Sequence, residues 1–273
     1  MNFLRQINLD VGPAGQSGVR ISDLRIAFEV TKTDLAYTNS MFVRIWNLSS
    51  QRATQLQSLN NTVVLSAGYK DILSVVGVGL VTGYETIKSG ADWITTLACS
   101  DSVQELSSLS ISLSFKGLVT SNQIIDAIAA KLNIVAVNKA PTYSFRNGYS
   151  FCGSAKEALT QLAKSFMFDW SIQNSELIIL PKNQGDSTKS VLINSQTGLL
   201  SPPRIRDRLA LEYPDSSELS LQIDTILNPA IEATGLITLS EGKYQGNYRV
   251  ESVTHRGDLG GDTWISRVIA RGI

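Results

Sequence analysis

Apolar and polar positions alternate over most of the first hundred residues. Between Arg20 and Val30 the apolar set is Ile21, Leu24, Ile26, Phe28 and Val30, which predicts a strand with one wet face and a bulge near Asp23. Met41 to Trp46 repeats the alternation, and Asn47-Leu48-Ser49 then offers cap chemistry for a short helix through Arg52, Leu56 and Leu59. Strand returns at Thr62 to Ala67, stops at a Gly68-Tyr69-Lys70-Asp71 turn and resumes from Ile72 to about Ile87. After a turn at Lys88 to Asp92, Trp93 to Cys99 alternates again.

The middle third changes period. Ser121 precedes Ile124, Ile125, Ile128 and Leu132 at helical spacing. Ser154 and Glu157 form a capping-box pattern ahead of Ala158, Leu159, Leu162 and Phe166. Phe168 to Gln173, an Asn174-Ser175 turn and Glu176 to Leu180 read as a hairpin closed by Pro181. Lys182 to Lys189 is polar and reads as a linker. From Val191 onward, prolines and glycines leave no room for a long helix, and strand signals return. The expected fold is mainly β with a small α/β module: two tube-like antiparallel β-barrels, residues 1–102 and 183–273, flanking a helix-helix-hairpin insert, residues 103–182.

Two segments resemble each other. Gly79 to Glu85 followed by Gly90, Asp92, Trp93 and Ile94 has the same order of features as Tyr248 to His255 followed by Gly261, Asp262, Trp264 and Ile265. In both, a strand with a polar row meets a glycine turn, and Asp then Trp-Ile opens the return strand. Two readings fit: turn chemistry converging in unrelated hairpins, or a duplicated barrel in which each Trp covers one barrel end.

Composition narrows the function. Of 273 residues, 43% are hydrophobic and 18% charged, so each domain has apolar material for its own core, and the low charged fraction suggests a surface covered by partners. Lys and Arg number 24, as do Asp and Glu, so no net field draws the chain to nucleic acid or an anionic membrane. No apolar run reaches the ~18 residues of a membrane helix, and Met1 to Asp10 lacks signal-peptide character. Folding in the cytoplasm of the producing cell is expected.

Catalytic chemistry is sparse. His255, the single histidine, falls in a strand and reads as a partly exposed structural residue. Cys99 and Cys152 are far apart and read as buried thiols, so neither a metal nor a cofactor is expected. Gly77, Gly79 and Gly83 mimic a phosphate-binding loop, but no helix follows them, and glycines easing strand crossing are the reading adopted. Asp169 beside Trp170 and Glu212 before Tyr213 are the most aromatic-flanked acids for a hydrolase.

Leu24 to Val30, Val43 to Ser49, Val63 to Tyr69, Trp170 to Pro181, Thr197 to Leu200 and Asn247 to Val250, in that order, resemble baseplate hub proteins of contractile-tailed phages. The resemblance implies a structural, non-enzymatic virion protein of the tail baseplate. It would be a homotrimer that joins the sixfold tail tube above to the threefold central spike below, contacts other baseplate proteins and lines the channel for genome ejection. DNA would pass without specific binding, and no stable membrane insertion is implied. The chain is short for that family, which argues against a fused spike or lysozyme. Alternatives are the hub of a phage-derived bacteriocin or secretion machine, or a tail module that binds or degrades cell wall.

Overall fold

The computed structural model describes residues 4–16, 18–35, 39–56, 58–70, 72–100, 106, 109–206 and 220–273. The chain divides into two compact units, one made of Met1–Thr33, Asn39–Ser100 and Gly185–Ile273, the other of Asp34–Thr38 and Asp101–Gln184. Strand dominates, and the sheets are mostly antiparallel.

The first unit opens with β1 (Arg5–Gly12), β2 (Val19–Ile21), β3 (Ile26–Thr33), β4 (Ser40–Trp46), α1 (Ser50–Leu56), β5 (Thr62–Tyr69), β6 (Ile72–Ser89) and β7 (Asp92–Ser100). The run from Arg20 to Val30 is thus two strands rather than one bulged strand. The alternation in β4 buries Met41, Val43 and Ile45 and leaves Phe42 and Arg44 exposed. Ser49 Oγ accepts from the Arg52 N–H at 3.4 Å at the start of α1, whose buried residue is Leu56.

The second unit holds β8 (Ser110–Phe115), β9 (Val119–Thr120), α2 (Ser121–Lys131), β10 (Val135–Asn138), β11 (Ser144–Phe145), β12 (Tyr149–Ser154), α3 (Ala155–Phe166), β13 (Phe168–Gln173) and β14 (Glu176–Pro181). The Ser154–Glu157 capping box forms as read. In α2 the cap is Thr120, one residue before Ser121, in a reciprocal box with Gln123. Asn174 and Ser175 have φ of 52° and 68°, the signature of a type I′ turn between β13 and β14. Both helices bury Ile124, Ile128, Leu159 and Leu162 with Phe168, Trp170 and Leu177 of the hairpin.

The first unit resumes with β15 (Asp186–Ile193), β16 (Arg204–Arg206), β17 (Ser220–Ile226), β18 (Gly235–Leu239), β19 (Gly246–Asp258) and β20 (Trp264–Gly272). The segment read as a linker therefore already contains strand from Asp186, whose side chain is buried.

Hydrogen bonding links the first unit into a 13-stranded sheet with the path β16-β17-β20-β19-β3-β4-β7-β6-β5-β1-β2; β18 adds to β19, and β15 to β18. Two β regions, expected as separate barrels, thus share one sheet through the β3–β19 pair. The sheet curls, because β1 and β2 sit far from β3 on the path yet bury Ile7, Leu9 and Ile21 in one core with Ile26 and Phe28. A separate core under β17 to β20 contains Ile223, Ile237, Val250, Val253 and Val268.

The two regions follow the same order. With β2 set aside and the strands of each region numbered in chain order, β1-β5-β6-β7-β4-β3 and β15-β18-β19-β20-β17-β16 both read 1-4-5-6-3-2. They differ in one pairing: β1 runs antiparallel to β5, whereas β15 runs parallel to β18.

Candidate assembly surface

The matched segments of the sequence become the hairpins β6–β7 and β19–β20. Each has one bulge, and it falls at the same place. Thr82 is the extra residue between the pairs Val81↔Cys99 and Gly83↔Ala98, and Glu251 between Val250↔Ala270 and Ser252↔Ile269. Counted from these bulges, Thr86 opposite Thr95 corresponds to His255 opposite Ser266, and Trp93 opposite Lys88 to Trp264 opposite Gly257. Both cross-strand polar pairs are hydrogen bonded, at 3.0 Å for Thr86–Thr95 and 2.8 Å for His255–Ser266.

The turns are built differently. Gly90 and Ala91 form a two-residue turn between Ser89 and Asp92, with Gly90 at φ 61°, a conformation glycine adopts without strain. Asn47 fastens its far side: its Nδ2 donates to Asp92 Oδ1 at 2.8 Å, and its Oδ1 accepts from the Trp93 N–H at 3.0 Å. Asn47 thus holds the hairpin end rather than capping α1. The second turn, Asp258 to Thr263, is two residues longer, and Asp258 Oδ1 accepts from the Gly260 N–H at 2.8 Å.

Their surroundings differ more. Trp93 is 51% exposed, whereas Trp264 is 4% exposed and belongs to the core of the first β region. There it meets Phe28 and Tyr69 edge-to-face, with centroids 6.3 and 6.2 Å away, and Arg5 lies 5.3 Å from its ring centroid. Arg5 also donates to the carbonyls of Gly261 and Asp262, at 2.7 and 3.3 Å. Gly261, Asp262 and Trp264 therefore dock on the neighbouring region, while Gly90, Asp92 and Trp93 lie at an open end.

The junction beneath is a seven-rung ladder from Ser252↔Thr33 to Asp258↔Ala27. Arg25 reaches both carboxylate oxygens of Asp258, at 3.1 and 2.8 Å, and lies 4.3 Å from the Trp46 ring centroid; Arg256 pairs with Glu29 at 2.8 Å. Thr31 and Thr254 share a hydrogen bond at 3.2 Å. At the inner edge Lys32, 2% exposed, lies 3.6 Å from Glu232, which also binds Lys189. Burial works to raise the Glu232 carboxyl, but the charge of Lys32 and the hydrogen bond from Lys189 hold it below the usual carboxylate range. These residues tie β3 of one region to β15 and the loop before β18 of the other.

His255 is wholly buried here, not partly exposed as its strand position suggested: β3 pairs beside β19, and the loop before β18 brings the Ile231 carbonyl onto the ring. Its Nε2 lies 3.1 Å from the Ile231 carbonyl, which only accepts, so Nε2 carries the proton and Nδ1 accepts from Ser266 Oγ. Ser266 Oγ in turn accepts from the Asn228 N–H at 2.9 Å. Burial, aided by the charge of Lys32, pushes the His255 pKa down to about 3. A serine and a histidine in contact are thus both locked in structural bonds and sealed from substrate.

The other chemical candidates do not come together. Cys99 is buried and burial pushes its thiol up to about 12, but Cys152 is exposed, since it falls with Ser150 on the outward face of β12. A Cβ at Gly79 would lie 2.7 Å from the Ser100 carbonyl oxygen, so that glycine permits close strand approach. Asp169 accepts from the Asn183 N–H, and Glu212 lies outside the described residues. A surface groove of about 360 Å³ beside β1 and β5 has Asp10 as its titratable lining residue, and Arg20 holds that carboxylate. Among the described residues no group of three metal-ligating side chains converges, and no helix is long and apolar enough to cross a membrane.

No family model matches the sequence, and no curated protein matches it. Solved structures do match. The 43 kDa tail protein of prophage MuSo2 from Shewanella oneidensis superimposes with a TM-score of 0.70 at 11% identity, over 98% of each chain. The tail protein of Neisseria meningitidis MC58 gives 0.66 at 11% identity, over 98% of this chain and 97% of its own. The Escherichia coli c3393 protein gives 0.63 at 9% identity, over 96% and 76%; it is described as a type VI secretion component structurally similar to the T4 tail proteins gp27 and gp5. The resemblance drawn from scattered sequence pieces is matched by a shared fold: the chain has the fold of these phage tail proteins.

Proposed function

We propose that the chain is a structural hub of a contractile tail baseplate, a homotrimer that joins the sixfold tail tube to a threefold central spike. The observation that carries this reading is the shared 1-4-5-6-3-2 strand order of the two β regions. It favours duplication over convergent turns, since convergence would not align six strands, a bulge and a cross-strand polar pair. Two tube-like barrel units per chain give six around a threefold axis, which is what matching a sixfold to a threefold partner requires. Gly90, Asp92 and Trp93 and their counterparts Gly261, Asp262 and Trp264 are then equivalent positions of the repeat.

The role is one of assembly, not catalysis: the Ser266–His255 contact is sealed, and the preserved geometry lies in strand edges. The tube above, the spike below and other baseplate proteins are its partners, in the virion tail, with DNA passing through the ring at genome ejection. The domain division at residues 1–102, 103–182 and 183–273 describes the same plan, the insert lying between the two copies in sequence.

A second reading within the same class is a hub of a secretion machine, favoured by the fold shared with the c3393 protein over 96% of this chain. Imaging of assembled particles from the producing cell, with this chain labelled, tests both. Label at the tube–spike junction of a phage tail is expected; label on a different part of the particle would remove the hub role.

A further inference from the structure

We draw no further inference here: the strongest candidate, the aromatic cluster that Tyr143, Phe145, Tyr149 and Phe166 form beside β11 and the end of α3 in the second unit, is a partly exposed apolar face, and nothing in the structure shows what covers it.

Discussion

Ser266 donates to His255 Nδ1 across the β19–β20 ladder on the rung where Thr86 and Thr95 face each other in β6–β7. A hydrogen-bonded polar pair thus occupies the equivalent rung of both hairpins. In the second region the rung is buried and bonded to the loop at Asn228 and Ile231, and in the first no described strand pairs with the β6 edge beside it.

Covering has a pH consequence. The His255 pKa falls from the usual 6.5 to about 3 in the folded chain, so between those values the unfolded chain binds a proton that the folded one does not. Its contribution is complete above about pH 6.5 and is lost progressively as pH drops toward 3. Lowering pH from 6.5 to 5 is expected to cost about 2 kcal/mol by this route. Urea titrations at several pH values check it, and His255→Gln should flatten the slope in that window; an unchanged slope would contradict the assignment.

The two tryptophans should respond unequally to truncation. Trp264→Ala removes a buried aromatic that closes the first core and is expected to cost about 3–5 kcal/mol in chemical denaturation. Trp93→Ala, at an exposed end, should cost less than about 1 kcal/mol in the isolated subunit and act instead on assembly. Equal losses of subunit stability would mean that the two ends are not covered as described.

Lys32 and Glu232 give a third test. Lys32→Met leaves Glu232 with Lys189 alone in a mostly dry setting, and a loss of about 3–5 kcal/mol is expected if the pair acts as a buried one. Adding Glu232→Gln should restore part of it. No recovery would show that the two side chains contribute separately.

The thiols should differ in reactivity. Cys152 is exposed and is expected to be labelled by maleimide in the native state, while Cys99, buried and with its thiol pushed up to about 12, should react only on unfolding. Native-state labelling at both would indicate that β7 opens readily.

Local signals carried most of the elements. The Ser154–Glu157 box and the Asn174-Ser175 turn were legible because their partners lie within three residues of each other. The start of β15, Asp186 to Lys189, reads as linker because the reasons for its polarity are distant: Lys189 meets Glu232, and Asp186 is buried beside strands that come later in sequence. The β3–β19 junction was invisible for the same reason, since its rungs join residues more than two hundred positions apart, and with it went the burial of His255. Matched Trp-Ile turns pointed to the two hairpins, but sequence carried no sign that one end is covered and the other open.

Native mass spectrometry of the purified chain tests the central claim most directly. The account predicts a species of about 89 kDa, three times 29.7 kDa, alone or on adding the tube or spike partner. A chain that stays at the mass of one subunit under both conditions would contradict it.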